Sequence, residues 1–292
     1  MKPFEYIEPH SVEEALLFLN QFGNETKILA GGTILLLQMK SQKITPRYVV
    51  NIMNISGLDR IEYNEKEGMT IGSLATIADL EDSFILRDRL SILHQAAREL
   101  GTQQIKNIAT IGGNLCNASP AAEMAPALIA LGASAKLVSL SGERVVKLED
   151  FFVGPGKSVL KTGEMLIEVQ VPHPPPGSKG IYLKHAFRKK LEMANVGIAV
   201  LADFNEKEKF IKDVLIVLGA VASIPKRALE AEALAKGKKM DGELLERVAL
   251  LASEESSPID EVWASAEYKR EMVKVFVERA FDQILSLGGY RV

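Results

Sequence analysis

A proline-rich stretch in the middle of the chain constrains the fold more than any other feature of the sequence. It reads Pro172-His173-Pro174-Pro175-Pro176-Gly177-Ser178-Lys179-Gly180. Proline fixes φ and lacks a backbone N–H group, so these residues cannot join a β-ladder and form a stiff connector. A chain of 292 residues also exceeds the usual size of a single domain. The sequence therefore predicts two units, residues 1–172 and residues 178–292.

The composition argues against nucleic-acid binding and against a membrane span. Apolar residues make up 47% of the chain and charged residues 25%, which is typical of globular proteins. The net charge is −3 and no tract is rich in Lys or Arg, whereas nucleic-acid binding needs a basic patch. No apolar run approaches the roughly 20 residues that span a bilayer, and the first five residues lack the layout of a signal peptide. We therefore expect a cytoplasmic protein.

Hydrophobic periodicity predicts helices and strands in both units, and therefore an α+β fold. Near the N-terminus, Ser11 and Glu14 form a capping-box pattern before the apolar stripe of Ala15, Leu16 and Leu19. Further helices are predicted at residues 34–40, 76–100, 121–135, 226–236, 241–252 and 266–287. Strands are predicted at residues 27–30, 48–52, 69–72, 136–139, 145–148, 168–171, 198–204 and 214–218, with a hairpin around Ser141-Gly142.

Two glycine turns of similar design lie in the first unit, Ala30-Gly31-Gly32-Thr33 and Thr110-Ile111-Gly112-Gly113-Asn114. Glycine lets the backbone approach a ligand closely and adopt φ > 0, which aligns N–H groups into a nest for anions. Thr33 and Asn114 would add side-chain donors to a bound diphosphate. A single Gly-Gly turn is most often only a turn, but two of them favour a phosphate-bearing ligand. Neither has the spacing of a Rossmann dinucleotide site or a P-loop.

Three segments resemble a known family. They are Ile28 to Thr33, Gln104 to Pro120, and Ser257 to Arg270. The first two are similar to the FAD signatures of the flavoprotein subunit of molybdenum hydroxylases, the medium chain of carbon monoxide dehydrogenase and its relatives in xanthine dehydrogenase and nicotinate or quinoline hydroxylases. The third is similar to the family's C-terminal segment, so the resemblance covers nearly the whole chain.

The resemblance implies a fold, a cofactor and a set of binding residues. An α+β FAD-binding domain of the vanillyl-alcohol-oxidase and MurB type (PCMH-type) would occupy residues 1–172. A smaller α+β domain, like the carbon monoxide dehydrogenase flavoprotein C-terminal domain, would occupy residues 178–292. The residues assigned to FAD by this resemblance are Ile28, Leu29, Ala30, Gly31, Gly32, Thr33, Ile34, Leu35, Leu100, Thr110, Ile111, Gly112, Gly113, Asn114, Glu123, Leu166 and Lys184.

Within that set the resemblance implies distinct roles. Residues 28–35 would wrap the diphosphate and residues 110–114 would complete the cradle. Glu123 would hold a hydroxyl or amine of FAD, and Leu166 would lie against the adenine region. Lys184 would reach the cofactor from the second unit.

Two positions depart from the family's pattern, since Ile34 and Glu123 each stand where an Asp is usual. Ile34 cannot accept the hydrogen bond that a carboxylate would accept, although the backbone nest should survive. Glu123 is one methylene longer than Asp, which changes the reach of its carboxylate.

The same resemblance implies electron transfer within a complex. A molybdopterin subunit would hydroxylate the substrate, and an iron–sulfur subunit would carry two [2Fe–2S] clusters. Electrons would reach FAD on this chain and leave to NAD⁺, oxygen or another acceptor, in an expected dimer of heterotrimers. Flavin converts one-electron into two-electron steps by itself, so no catalytic residue is expected here. The single cysteine, Cys116, agrees with clusters on another chain, because such clusters take several cysteine ligands.

Two other functions stay open at the level of sequence. A stand-alone flavin oxidase or reductase of the same fold would be expected to show a substrate base or a covalent flavin attachment, and neither is evident. A cofactor-free structural or assembly subunit is suggested only by Ile34 and Glu123. Activity of the isolated chain on a small substrate would favour the first function, and a colourless protein without FAD would favour the second.

Several reactive or aromatic side chains are interpreted as structural. Cys116 is expected to behave as a small buried hydrophobe, and Trp263 to be a packing residue. The charge run Arg188-Lys189-Lys190 is expected to be a solvated turn, which the resemblance makes a weak candidate for contact with the cofactor or a partner. The histidines show no metal-ligand spacing; they are His10, His94, His173 and His185.

Overall fold

The computed structural model describes residues 1–188, 192–205 and 210–287 and shows an α+β fold. The strands are β1 (Glu5–Ile7), β2 (Thr26–Leu29), β3 (Tyr48–Asn51), β4 (Ile61–Asn64), β5 (Gly68–Gly72), β6 (Ser134–Ser139), β7 (Gly142–Lys147), β8 (Phe152–Gly154), β9 (Lys157–Ser158), β10 (Met165–Val171), β11 (Lys179–His185), β12 (Val196–Asn205), β13 (Phe210–Gly219), β14 (Lys226–Arg227) and β15 (Lys238–Lys239). The α-helices are α1 (Val12–Phe22), α2 (Leu35–Lys40), α3 (Ile77–Asp82), α4 (Phe84–Arg89), α5 (Ser91–Glu99), α6 (Gln103–Lys106), α7 (Ile111–Cys116), α8 (Met124–Ala130), α9 (Leu229–Ala235), α10 (Gly242–Glu255) and α11 (Ala266–Leu287). None of the helices within these ranges combines the length and the hydropathy that a bilayer-crossing segment requires.

The first unit opens with a three-stranded parallel sheet in the order β1-β3-β2. Helix α1 buries the predicted stripe of Ala15, Leu16 and Leu19 in a small core beside this sheet. Ser11 caps the helix, because its hydroxyl accepts a hydrogen bond from the Glu14 N–H at 3.1 Å. The Glu14 carboxylate accepts from the His10 N–H at 2.8 Å, so the reciprocal bond of the predicted capping box is displaced by one residue.

A five-stranded antiparallel sheet, in the order β4-β5-β10-β6-β7, forms the centre of the first unit. The predicted hairpin is confirmed as β6 and β7, with Ser139 opposite Gly142. Strand β10 lies between β5 and β6, so the last strand of the unit completes the middle of its sheet. Side chains from α3 to α8 pack with the sheet in the largest hydrophobic core, here called the principal core.

The prediction of one helix over residues 76–100 is wrong, because three helices, α3, α4 and α5, occupy this segment. One break falls at Ser83, whose backbone is extended, and the other at Leu90, with φ −132° and ψ 52°. The Ser83 hydroxyl accepts a hydrogen bond from the Leu86 N–H at 3.3 Å and so begins α4 anew. The apolar period continues across both breaks, which is why periodicity alone predicts a single helix.

The second unit is an antiparallel sheet in the order β11-β12-β13-β14, with β15 also paired to β13. Only β12 and β13 are predicted by the sequence. Helices α9, α10 and α11 cover one face of this sheet and form a core of their own. The opposite face packs against the first unit, since Tyr182, Ala199, Leu201 and Val217 belong to the principal core.

Close contacts fix the two units against each other. A Cβ atom on Gly180 would lie 2.9 Å from Ile92 Cβ, and one on Gly219 would lie 2.7 Å from Pro126 Cγ. Glycine at these positions therefore lets β11 approach α5 and β13 approach α8. The proline-rich stretch lies between the end of β10 and the start of β11. We propose a domain boundary at residues 172–178. Side chains from both sides of this boundary belong to the principal core.

Candidate functional site

The two glycine turns lie against each other in the folded chain. A Cβ atom built on Gly31 would lie 1.6 Å from the carbonyl oxygen of Ile108, just before Thr110. Only glycine permits one backbone to approach another so closely. The first turn joins β2 to α2, and the second begins α7. The two predicted signatures are therefore adjacent in the fold.

The first turn presents backbone N–H groups that the protein does not use. Gly32 has a φ of +70°, and its carbonyl accepts the first hydrogen bond of the α2 turn, from the Leu36 N–H at 3.1 Å. The four N–H groups of residues 32–35 have no hydrogen-bond acceptor in the part of the chain that the structure describes. Such groups at the start of a helical turn favour an anion. Residues 32–35 therefore have the features of the predicted nest.

The second turn, in contrast, engages its N–H groups within the protein. The Gly112 N–H donates to the Ser73 carbonyl at 2.9 Å. The Gly113 N–H donates to Thr110 Oγ1, and the Asn114 N–H to the Thr110 carbonyl, each at 3.0 Å. The expectation of a second amide nest is therefore wrong, and this turn can offer a ligand mainly its side chains.

Gly112 is required by packing against the end of β5 and not by the approach of a ligand. A Cβ atom on this residue would lie 2.6 Å from the Ser73 carbonyl oxygen. The explanation of this glycine from the sequence, the close approach of a phosphate, is wrong, because the neighbour is the Ser73 backbone. Gly113 is exposed, and a Cβ atom there would meet only Thr110 Oγ1, at 3.0 Å.

Two buried polar atoms beside the second turn, Asn114 Oδ1 and Ser73 Oγ, lack hydrogen-bond partners among the described residues. A buried polar atom without a partner costs about 1–3 kcal/mol, so such atoms indicate a ligand that completes them. Together with the free amides of residues 32–35, they fit a cofactor that bears phosphates and hydroxyls, as FAD does. Ser73 is absent from the predicted set, and its only signal in the sequence is a small polar residue directly after β5.

The side chains of the first signature are mainly apolar. Ile28 and Ala30 are half-buried against the small core beside α1, and Leu29 and Leu35 are half-buried as well. Ile34, which stands where the family's pattern has Asp, is 42% exposed. An anion at this turn therefore meets free amides without a neighbouring carboxylate at position 34 to repel it.

Glu123 and Lys184 form a buried ion pair across the junction of the two units. Lys184 Nζ donates to Glu123 Oε1 at 2.9 Å and to the carbonyl oxygens of Glu99 and Glu192 at 3.0 and 2.7 Å. Three acceptors match the three donors of an ammonium group. In this arrangement the ion pair fastens the end of β11 to the start of α8. The roles of both residues toward FAD remain predictions.

Leu100 and Leu166 have their side chains in the principal core, as does Ile111. Leu100 directly follows Glu99, whose carbonyl binds Lys184, and so lies at the junction of the units. Leu166 lies on β10 at an irregularity of its pairing with β6. Because these side chains are buried among apolar residues, contact with a cofactor at these positions would involve the backbone.

The side chains interpreted from the sequence as structural differ in their surroundings in the folded protein. Cys116 packs against the principal core, and burial raises the pKa of its thiol to about 12. Trp263 is 67% exposed, so the prediction that it is a packing residue is wrong. Arg188 pairs with Glu192 at 3.5 Å, whereas Lys189 and Lys190 of the predicted charge run lie outside the described residues.

Known proteins are similar to nearly the whole chain in sequence and in fold. The family profile of the FAD binding domain in molybdopterin dehydrogenase matches residues 2–174, and that of the CO dehydrogenase flavoprotein C-terminal domain matches residues 181–284. The glyceraldehyde dehydrogenase medium chain of Sulfolobus acidocaldarius is 34% identical over 96% of this chain and 98% of its own length. The carbon monoxide dehydrogenase medium chain of Afipia carboxidovorans is 30% identical over 96% of each chain. The solved carbon monoxide dehydrogenase from Hydrogenophaga pseudoflava has a TM-score of 0.93 at 31% identity, covering 98% of this chain and 99% of its own.

The chain therefore belongs to the family of FAD-binding subunits of molybdenum hydroxylase-type dehydrogenases. It is a flavoprotein subunit of an oxidoreductase, and its cofactor is FAD. The α+β fold, with an FAD-binding domain followed by a flavoprotein C-terminal domain, is confirmed.

Proposed function

We propose that the chain is the electron-transfer subunit of a multi-subunit molybdenum hydroxylase. Electrons come from [2Fe–2S] clusters of an iron–sulfur subunit, after a molybdopterin subunit has oxidised the substrate, and leave to NAD⁺ or another acceptor. FAD, when bound, supplies the exchange between one-electron and two-electron steps. Relatives named as medium chains support a multi-subunit assembly, for which we propose a dimer of heterotrimers.

The task of this chain is to bind and orient the cofactor. The amides of residues 32–35 hold the diphosphate, and the side chains of Asn114 and Ser73 hydrogen-bond to it or to neighbouring hydroxyls. The Glu123–Lys184 pair keeps the second unit over the first and so fixes the far side of the site. The observation that carries the proposal is the run of four unengaged N–H groups on the first turn, together with two buried polar atoms without partners beside the second.

The variant Thr33→Pro tests the amide nest. Thr33 directly follows the first carbonyl acceptor of the α2 turn, where proline is tolerated because the N–H has no intrahelical partner. Thr33→Pro removes the hydroxyl and one N–H, whereas the matched control Thr33→Ala removes the hydroxyl alone. One hydrogen bond to a charged phosphate contributes about 1.5–3 kcal/mol, so the Kd for FAD should be about 10- to 100-fold higher for the proline variant than for its control.

The Kd is measured by flavin fluorescence quenching on the cofactor-stripped chain. An unchanged Tm of the stripped protein shows that the proline has not unfolded α2. Equal affinities of the proline and alanine variants would contradict the nest as the diphosphate site.

The proposed electron path requires its own test. The complex is isolated through a tag on this chain, and its FAD, iron and molybdenum contents are measured. NADH is then added anaerobically to the FAD-loaded isolated chain, and bleaching of the flavin absorption is expected if NAD⁺ is the acceptor. A complex without iron and molybdenum would overturn the multi-subunit proposal, and absence of bleaching would exclude NAD⁺ as the acceptor.

A further inference from the structure

Three large apolar side chains are exposed within five residues of the second unit. They belong to the segment of residues 259–263, here called the Trp263 loop, which precedes α11. Ile259 is 70% exposed, Val262 93% and Trp263 67%. Single exposed apolar residues are ordinary, but a contiguous group that includes a tryptophan indicates a surface that another molecule covers.

The Trp263 loop is held in one conformation although its apex is exposed. Glu261 and Ala264 exchange two backbone hydrogen bonds, at 3.0 and 3.3 Å. The Asp260 carboxylate accepts from the Ala266 N–H at 2.7 Å and so fastens the loop to α11. Beneath the loop, Lys269 is 1% exposed and pairs with Glu261. A loop fixed in this way loses little conformational entropy when a partner binds.

Exposed aromatic side chains also lie at the start of α11 and just after β11. Tyr268, on the first turn of α11, stacks on the exposed ring of Phe187, with centroids 6.3 Å apart and planes inclined by 10°. The Tyr268 hydroxyl and His185 Nε2 are 3.0 Å apart. His185 is the neighbour of Lys184, so this aromatic group lies at the end of the strand that carries Lys184.

The segment around the loop has a net negative charge. Residues 248–270 contain five carboxylates and two cations, Lys269 and Arg270, and Lys269 is buried in its pair with Glu261. Two copies of this chain meeting symmetrically at the loop would bring these carboxylates together, which is unfavourable. A partner with an apolar pocket would be complementary to the exposed apolar side chains of the loop, and cationic side chains around that pocket would be complementary to its carboxylates.

We propose that the Trp263 loop, with Tyr268 and Phe187, is the docking surface for a different subunit of the same assembly. That subunit presents an apolar pocket for Trp263, with Lys or Arg side chains around it. The proposal rests on the multi-subunit function proposed above, and the relatives that match nearly the whole chain carry the names of complex subunits.

The test compares two variants of the full-length tagged chain in the complex isolated from the native host. Val262→Glu/Trp263→Glu places charge on the loop, and Leu250→Glu places it on another exposed apolar position, on α10. Loss of a central tryptophan typically weakens an interface by at least 2 kcal/mol, so the double variant should retain about 30-fold less molybdenum and iron per chain. Leu250→Glu should retain both metals.

Other measurements separate this proposal from that of FAD binding. The Tm and the FAD content of the isolated double variant should equal those of the wild type, because the altered side chains are exposed. Unchanged metal retention by the double variant would overturn the docking surface even if FAD is bound as proposed. A dimer of the isolated wild-type chain that the double variant abolishes, seen by sedimentation, would assign the loop to a second copy and overturn it as well.

Discussion

At the scale of single residues, Cys116 shows how surroundings determine chemistry. It ends α7, two residues after Asn114, and packs against the principal core. Burial raises the pKa of its thiol to about 12, because the thiolate would lose its hydration. Since the thiolate is the reactive form, Cys116 is a packing residue even though it lies beside a glycine turn of the candidate site.

This pKa predicts a slow reaction of Cys116. A rise of the thiol pKa from 9.0 to about 12 lowers the thiolate fraction at pH 8 about a thousandfold. The native protein should therefore react with a disulfide reagent such as DTNB about a thousandfold more slowly than the same chain unfolded in urea, which is the control. A fast stoichiometric reaction of the native protein would show that the thiol is accessible and ionised.

At the scale of elements, a charged pair fastens the β6–β7 hairpin to the turn before β10. Arg144 on β7 donates to the Glu164 carboxylate through Nε and Nη2, at 2.8 and 2.7 Å. The Lys161 N–H donates to the same carboxylate at 2.8 Å. The hydrogen bonds from Arg144 are the main reason why the pKa of Glu164 lies below its ordinary value.

Glu164→Gln is expected to lower stability in a pH-dependent way. The pKa of Glu164 is lower in the folded than in the unfolded protein. The ion pair therefore contributes its full stabilisation at pH values above the ordinary carboxyl pKa, near 4.5. This stabilisation is lost as the pH falls through the folded-state pKa. Because Arg144 is partly exposed, the loss at pH 7 should be about 1–2 kcal/mol in the free energy of unfolding. Urea titrations should show this difference shrinking below about pH 4. A difference that is constant with pH would contradict the assignment.

At the scale of the whole molecule, the Glu123–Lys184 ion pair joins the two units. Both side chains are buried, so removal of one partner leaves a buried charge without compensation. Lys184→Met should lower the free energy of unfolding by about 3 kcal/mol, and adding Glu123→Gln should restore part of the loss. The exposed pair of Arg47 and Glu25 is the control, where Arg47→Met should cost less than about 0.5 kcal/mol. Strictly additive effects of the two junction substitutions would contradict a coupled pair.

The sequence predicts the elements of the fold better than their contacts. Paired glycines locate both turns of the candidate site, because glycine is the residue type that permits a close approach of the backbone. The sequence does not identify the group that comes close, which at Gly112 is Ser73 and not a ligand. Strands β4 and β11 are missed because both are edge strands in which charged or polar residues interrupt the apolar pattern. Trp263 is misassigned because residue type alone does not distinguish a core tryptophan from an exposed one.

The position of β10 has a consequence for synthesis of the protein. Its residues, Met165–Val171, separate β5 from β6 in the finished sheet. Until the ribosome has released them, the preceding strands expose unpaired edges that invite association with other chains. The sheet of the FAD-binding half can therefore form completely only after β10 has been synthesised and has inserted between β5 and β6. Strand β10 directly precedes the proline-rich stretch in the chain.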